Sequence, residues 1–273
     1  MSEAIPVADL EKLDKQEDKT KRSKSGDIVI ESVGDLDFNF NILIFAEYGT
    51  GKTVLSGSAS VVDDMSPVLI LDIEGGTLSL KETYPDVKVI RIKSWDDFIT
   101  VSNSIAKGKP PYNEFKTVIV DSLTELQKLS MYAIMGKLVD EKEDRDPDVA
   151  GLREYSKNTE QIRKVVRKYR DLPINTIFTA LSNSDRDEKK GKIRQRISLT
   201  NKLSSEVGAF FDVVLYLYVK EVKGEFIRLL LSGQTDEISA KDRSNKLPLV
   251  IENPTMEDIY GYLSGKESKR EEK

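Results

Sequence analysis

The sequence contains neither cysteine nor histidine in its 273 residues. The absence of both excludes zinc sites built from these residues, thiol redox chemistry and any catalytic triad that uses histidine. It also excludes disulfide bonds, which is the usual state of cytosolic proteins. No apolar run approaches the roughly 18 residues that a membrane-spanning helix requires. We therefore expect a soluble protein of the cytoplasm with no membrane partner.

The chain also lacks a strong excess of charge of one sign, since its net charge is only −5. This balance does not indicate a nucleic-acid-binding protein, although local basic patches can still bind nucleic acid. Residues 1–26 and 264–273 are rich in charge and poor in large apolar side chains, which is typical of disordered tails. The remaining residues, 27–263, are enough for one α/β domain, and we predict a single domain there.

Short apolar runs alternate with amphipathic segments along this predicted domain. We predict strands at residues 27–32, 42–45, 67–72, 87–92, 117–121, 174–180, 212–219 and 225–231. We predict helices at residues 95–106, 123–139, 149–170, 199–207 and 255–263, and an exposed hairpin or loop at 183–196. The alternation indicates an α/β fold with a mainly parallel sheet flanked by helices. The last two strands flank a Lys-Gly turn and are predicted to be antiparallel.

One stretch, NILIFAEYGTGKTVLS at Asn41–Ser56, has the pattern of a phosphate-binding loop. An apolar strand leads into a glycine-rich turn, then a Gly-Lys-Thr triplet, then a helix. Glycine lets the backbone turn tightly and direct its N–H groups at phosphate oxygens, and the lysine supplies a point charge. Ala46 replaces the first glycine of the pattern, and it keeps that position small. The predicted contacts to the cofactor, ATP, are Glu47, Tyr48, Gly49, Thr50, Gly51, Lys52, Thr53 and Val54.

A second acid is needed to hold the magnesium ion that accompanies a triphosphate. The apolar strand TVIVD, at residues 117–121, ends in an aspartate, which is the usual source of that acid. We predict that the hydroxyl of Thr53 and the carboxylate of Asp121 bind Mg²⁺. An aspartate that merely caps the following helix is the alternative.

The catalytic base must come from outside this strand, because Ser122 rather than an acid follows Asp121. Glu74 lies just beyond the apolar strand PVLILD and is followed by two glycines. The carboxyl ends of neighbouring parallel strands face the same crevice, so Glu74 can reach the γ-phosphate side. We predict Lys52 and Glu74 as catalytic residues, with Glu74 orienting the attacking water. A solvated loop acid is the alternative.

Together these stretches resemble the core of RecA-like ATPases. Within that group they look like the phage nucleotide-binding ATPases that include the Sak-type single-strand annealing proteins. The matching segments cover most of the predicted domain and read AEYGTGKT, LILDIEGG, TVIVDSLTEL, TIFTA and AKDRSNKLP. The resemblance implies a RecA-like P-loop fold and Mg-ATP-dependent action on single-stranded DNA in phage recombination or replication. It also implies a homo-oligomeric ring or filament, a single-strand binding protein as a further partner, and the host-cell cytoplasm as the location.

Two positions depart from the pattern of those relatives. A histidine often follows the Thr-Ala of the fourth strand, where this chain has Leu181. RecA has a polar amide at the position that Ala180 occupies here. Thr179 and Ser182 are the remaining candidates for sensing the γ-phosphate.

RecA-like proteins commonly complete each site with basic residues from a neighbouring subunit, and such a residue can raise the rate by ~10³ or more. The resemblance implies that Lys241 and Arg243, in the segment AKDR, are these catalytic residues. A solvated basic turn balanced by Asp242 is the alternative.

A basic segment follows the strand at 174–180, where RecA-like folds carry a mobile loop that lies along single-stranded DNA. The predicted DNA contacts are Arg186, Lys189, Lys190, Lys192, Arg194 and Arg196. A second basic patch, on the helix at 149–170, consists of Arg163, Lys164, Arg167, Lys168 and Arg170. Neither patch has the interleaved aromatic residues of a stacking platform, so a solvated charged surface is the alternative.

Two other functions fit parts of the same pattern, and a third does not. A P-loop kinase for a nucleotide or small molecule would need an acceptor pocket and an arginine-bearing lid. An ATP-gated scaffold or loader with little hydrolysis is compatible with Ser122 and with Leu181. A GTP switch is set aside, because neither Asn201 and Lys202 nor Asn245 and Lys246 continue to the Asn-Lys-x-Asp that reads guanine.

Overall fold

The computed structural model describes residue 32 and residues 39–266, apart from 142–145, 147, 187–192 and 201. The predicted tail at 1–26 lies outside the described residues, and so does the predicted strand at 27–32 except for Ser32. The predicted C-terminal tail lies outside them from residue 267 on, and Ser264 is the last residue of a helix. The domain boundaries remain predictions.

Strands and helices alternate along the described part of the chain. The strands are β1 (Asn41–Ala46), β2 (Val68–Asp72), β3 (Lys88–Arg91), β4 (Thr117–Asp121), β5 (Asn175–Arg186), β6 (Ile193–Ile197), β7 (Val213–Val222), β8 (Glu225–Leu231), β9 (Lys241–Asp242) and β10 (Val250–Glu252). The helices are α1 (Lys52–Gly57), α2 (Trp95–Ala106), α3 (Leu123–Glu141), α4 (Leu152–Arg170), α5 (Leu203–Glu206) and α6 (Met256–Ser264). No helix in the described ranges is both long and apolar enough to traverse a bilayer.

The strands form one sheet in the order β10-β8-β7-β1-β5-β4-β2-β3. The six strands from β7 to β3 pair in parallel. The strands β8 and β10 extend the sheet in antiparallel fashion, and the short β9 pairs antiparallel with β7. In this order β5 lies between β1 and β4. The predicted α/β class is confirmed: a mainly parallel sheet with helices on both faces and antiparallel strands at its C-terminal end.

The core has two layers because helices cover both faces of the sheet. Leu43 and Phe45 of β1 belong to the layer that contains α2, α3 and α4. Ile42 and Ile44 belong to the opposite layer, with α1 and α6. All six residues of β1 are buried. A strand buried on both faces carries a continuous apolar run, and this explains why β1 is so visible in the sequence.

Side-chain caps fix where two of the helices begin. The hydroxyl of Ser94 accepts the N–H of Asp97 at the start of α2, and the Asp97 carboxylate accepts the N–H of Ser94. Thr255 and Asp258 form the same reciprocal pair at the start of α6. Such caps satisfy N–H groups that have no partner inside the helix.

Two predicted helices differ from the observed ones at their start. The helix predicted at 149–170 begins at Leu152, because the carboxylate of Glu154 binds the N–H of Gly151 and ends the preceding loop there. The helix predicted at 199–207 is wrong in its first turn, since α5 begins at Leu203. The N–H of Ser198 donates to the carbonyl of Leu181 and continues the pairing of the hairpin, and the N–H of Thr200 donates to the side chain of Gln127 in α3.

The segment predicted as an exposed hairpin or loop at 183–196 is a hairpin. Its arms are the second half of β5, which is longer than predicted, and β6. The pairing runs from Ser182 opposite Ile197 to Arg186 opposite Ile193. The turn at residues 187–192 lies outside the described residues.

Candidate active site

The phosphate-binding pattern forms the connection between β1 and α1. Gly49 and Gly51 adopt φ angles of 73° and 101°, which other residues rarely adopt. The hydroxyl of Thr50 donates to the carbonyl oxygen of Glu47 across the loop at 2.8 Å. The side chain of Tyr48 is 87% exposed at the tip. The predicted glycines are therefore required by the backbone, and the loop has the tight turns of an anion-binding concavity.

Lys52 lies inside this loop and is only 6% exposed. Its Nζ donates to the carbonyl oxygen of Glu47 at 3.0 Å and to that of Ala46 at 3.4 Å. Burial lowers the pKa of Lys52, while the carboxylates of Glu74 and Asp121 oppose that shift. The ammonium group thus lies at the inner side of the loop, within electrostatic reach of two acids.

Asp121 ends β4 and is held by two threonines. Its Oδ2 accepts the hydroxyl of Thr53 at 2.7 Å, and its Oδ1 accepts the hydroxyl of Thr179. The carboxylate is 1% exposed, and burial raises the pKa of Asp121 above its ordinary value. The two hydroxyl donors act against this shift, because they favour the charged form. Thr179 is fully buried and supports Asp121, so of the two candidate sensors it is the one already engaged inside the site.

The donors at this point fit a magnesium ion. A Cβ added to Gly76 would lie 3.3 Å from the hydroxyl oxygen of Thr53 and 3.8 Å from Oδ2 of Asp121. The glycine thus leaves room beside both oxygens. No group of three or more acidic residues forms a cation site anywhere in the described ranges. Mg²⁺ binds proteins through one or two side chains and takes its other ligands from phosphates and water, so Thr53 and Asp121 suit it.

Glu74 lies at the same end of the sheet, in the turn that follows β2. Its N–H donates to the carbonyl oxygen of Asp121 at 3.1 Å, and its side chain is exposed. The charge of its carboxylate influences the pKa values of both Lys52 and Asp121. The structure therefore brings together four of the predicted residues: Lys52, Thr53, Glu74 and Asp121.

Asp72 is a further residue of the site, and our sequence analysis assigned it no role. It ends β2 beside Asp121 of β4, and it is buried. Its carboxylate accepts the N–H of Gly75 at 2.7 Å and the hydroxyl of Thr77 at 2.8 Å. These bonds shape the turn that carries Glu74. The available signal was the acid at the end of an apolar strand, the same signal that identified Asp121.

Arg228 of β8 is a second residue that sequence reasoning missed. Its Nε donates to the carbonyl oxygen of Thr50, in the phosphate loop, at 3.0 Å. The two residues are 178 positions apart, and Arg228 lies in no recognisable motif. No local signal could have found it.

Lys241 and Arg243 do not reach the phosphate loop of their own chain. Lys241 pairs with Val214, which is level with Leu43 near the start of β1, whereas the loop follows the end of β1. The guanidinium of Arg243 donates to the carboxylate of Asp212 and to the carbonyl of Ala209, both at 2.8 Å. Any part in catalysis would therefore be played in the site of another copy.

The predicted DNA contacts lie on the hairpin of β5 and β6. Arg194 and Arg196 lie on β6, and Arg196 is 3.5 Å from the carboxylate of Asp185 on the facing strand. The backbone of Arg186 ends β5. Lys189, Lys190 and Lys192 lie outside the described residues.

The second basic patch, on α4, is largely used within the fold. Arg163 pairs with Glu206 and Glu160, and Arg170 with Asp171. The guanidinium of Arg167 lies 4.9 Å from the ring centre of Phe210. Lys168 donates to Asn103. These contacts favour the alternative, a structural and solvated surface, for this patch.

Comparison with known proteins gives a family and distant similarities to solved structures. Residues 39–244 match the family AAA_24, described as an AAA domain. The flagellar accessory protein FlaH of Methanocaldococcus jannaschii is 14% identical, with a TM-score of 0.37 over 71% of this chain and 78% of its own. A KaiC-like protein of Pyrococcus horikoshii OT3 is 17% identical, with a TM-score of 0.39 over 72% and 80%. No curated protein matches the chain.

Proposed function

This chain belongs to the AAA domain family, and we propose that it is an ATPase that binds Mg-ATP at its phosphate loop and hydrolyses it. The observation that carries the proposal is the hydrogen bond of 2.7 Å between the hydroxyl of Thr53 and the carboxylate of Asp121. This bond joins the phosphate loop to the strand end that supplies the acid, beside the buried amine of Lys52. A triphosphate with its magnesium ion requires these three groups together.

Each residue of the site has one role in the proposed reaction. Lys52 binds the outer phosphates, and Thr53 and Asp121 hold Mg²⁺, which when bound neutralises charge on the phosphates. Glu74 orients the attacking water. Its exposed carboxylate can meet solvent, and its backbone is tied to Asp121 at the same sheet end.

The ATPase is further proposed to act on single-stranded DNA. In this proposal a ring or filament of this chain binds the DNA during phage recombination or replication. Support comes from the hairpin. Its first arm is β5, which lies beside β1, and its second arm, β6, carries Arg194 and Arg196. Basic side chains bind the phosphate backbone whatever the base sequence. The same proposal includes a single-strand binding protein as partner and a host-cell cytoplasmic location. It also includes the action of Lys241 and Arg243 in the site of a neighbouring copy.

The test is ATP hydrolysis by the full chain with and without single-stranded DNA, compared with Lys52→Ala and Glu74→Gln. We expect DNA to stimulate hydrolysis and both variants to lose it, while Glu74→Gln keeps ATP binding because it leaves the loop intact. A double variant, Arg194→Ala with Arg196→Ala, should lose DNA stimulation only. The matched control removes two charges from α4, at Lys168 and Arg170, and should behave as the wild type.

Other outcomes would contradict parts of the proposal. Tight ATP binding that needs Lys52, without turnover in any condition, would identify an ATP-gated scaffold or loader. Transfer of phosphate to a nucleoside or small molecule would identify a kinase. Hydrolysis that does not respond to DNA would support the proposed ATPase activity and contradict the proposed action on single-stranded DNA.

A further inference from the structure

Arg228 reaches the phosphate loop from the antiparallel part of the sheet. Besides the bond from its Nε to Thr50, the Nε lies 3.0 Å from the point where a Cβ on Gly51 would be. A side chain at residue 51 would therefore press on the guanidinium, which would have to shift. The absence of a side chain at Gly51 lets an arginine and the phosphate loop approach each other closely.

The backbone of Arg228 is fixed from the other side by Asn253. The N–H of Arg228 donates to Oδ1 of Asn253 at 3.1 Å, and the N–H of Asn253 donates to the carbonyl of Arg228 at 2.7 Å. Asn253 adopts a positive φ of 42°, just after β10. These two bonds to Asn253 thus fix the backbone position of Arg228 beside the phosphate loop.

The two terminal nitrogens of Arg228 have no hydrogen-bond partner among the residues that the structure describes. Its guanidinium lines a pocket of about 150 Å³ beside the phosphate loop. The pocket is also lined by Val54, which follows Thr53, and by Tyr84 and Leu217. Small-molecule pockets commonly combine apolar walls with a few polar groups that set orientation.

We propose that this pocket receives one edge of the nucleoside half of the nucleotide, with Arg228 as the residue that positions it. A pocket of this volume is smaller than the ~300 Å³ of ligand-enclosing pockets, so the rest of the nucleoside faces solvent. The inference rests on the proposed function, because it needs the triphosphate to lie in the phosphate loop next door. A guanidinium is planar and carries several donors, so it can stack on a base and donate to its ring nitrogens or to the ribose. With its Nε on the carbonyl of Thr50, Arg228 has its two terminal nitrogens left to donate to the nucleoside.

The test compares two ligands on the full chain: ATP, and inorganic tripolyphosphate, which lacks the nucleoside. Binding of both is measured by calorimetry in the presence of Mg²⁺ for the wild type, Arg228→Ala and Tyr84→Ala. Arg91→Ala, an exposed arginine on β3 at the other edge of the sheet, is the matched control. Lys52→Ala is the reference for loss of phosphate binding.

We expect Arg228→Ala to weaken ATP binding about tenfold and to leave tripolyphosphate binding unchanged. Tyr84→Ala should act in the same direction, and Arg91→Ala should alter neither ligand. Equal loss of both ligands in Arg228→Ala would overturn the proposal, because the arginine would then act only on the loop. Unchanged ATP binding would also overturn it. Failure of the wild type to bind either ligand would instead refute the proposed ATPase itself.

Discussion

Asp121 is a buried acid whose charge is unfavourable until a cation binds beside it. Burial raises the pKa of Asp121 above its ordinary value of 3.8, and the hydroxyls of Thr53 and Thr179 only oppose that shift. Between the ordinary and the raised value, the folded protein binds more protons at this residue than the unfolded chain does. The free energy of unfolding therefore falls as pH rises through that range. At neutral pH the ionised carboxylate lowers the stability of the nucleotide-free protein.

We accordingly expect Asp121→Asn to melt at a higher temperature than the wild type at pH 7 without nucleotide. Asparagine can still accept from one threonine and donate to the other. The difference should disappear below about pH 3, well under the ordinary value, where the carboxyl of Asp121 is protonated in both states. Calorimetric melting curves across this pH range measure the effect. A variant that melts lower than the wild type at every pH would contradict the account.

At the scale of elements, the turn after β2 is packed against the start of α1. Gly76 has a φ of −85°, so alanine is compatible with its backbone, but its Cβ would lie 3.3 Å from the hydroxyl oxygen of Thr53. We expect Gly76→Ala to displace that hydroxyl and to weaken Mg²⁺-dependent ATP binding by on the order of tenfold, with little change in the melting temperature. Titration of the variant with ATP, with and without Mg²⁺, checks this.

The matched control for that substitution is Gly136→Ala in α3. A Cβ there meets open space, and the position is exposed within the helix. We expect about 0.5–1 kcal/mol of added stability, because alanine is the better helix former, and no change in ATP binding. If Gly76→Ala binds Mg-ATP as this control does, the contact with Thr53 has no role in the metal site.

The elements and residues that could be predicted are those whose sequence pattern lies within one short stretch of the chain. The phosphate loop and Asp121 each follow a short apolar run, so one local pattern carries both the strand and the chemistry. Arg228 could not be predicted, because its role comes from a contact across 178 positions. The start of α5 could not be predicted either, since the backbone at Ser198 is bound by Leu181 of β5. Tertiary hydrogen bonds of this kind override local helix preference.

At the scale of the whole molecule, the position of Arg243 makes a clear prediction for mixed assemblies. Its guanidinium lies near the start of β1, away from the phosphate loop of its own chain. If Arg243 acts in trans, Arg243→Ala and Lys52→Ala should each be inactive alone, yet regain hydrolysis when mixed. Some sites in the mixture would then combine an intact loop with an intact arginine. ATP hydrolysis of mixtures at varied ratios measures this.

The control mixture combines Lys52→Ala with Glu74→Gln. Both residues belong to the same side of one site, so no arrangement of these two subunits completes it, and no activity should return. Full activity of Arg243→Ala on its own would remove this residue from the reaction. Its bonds to Asp212 and Ala209 would then be purely structural.

The length of β5 has a mechanical consequence. The strand runs without a break from Thr179, whose hydroxyl binds Asp121, to Arg186 at the far end of the hairpin. At about 3.3 Å per residue, this part of the strand spans roughly 23 Å. The strand thus connects the hydroxyl that binds Asp121 to residues 183–185 of the hairpin, which are exposed to solvent. We expect a ligand that binds residues 183–185 to change the affinity for a nucleotide at Asp121, and the bound nucleotide to change the affinity for that ligand by the same factor.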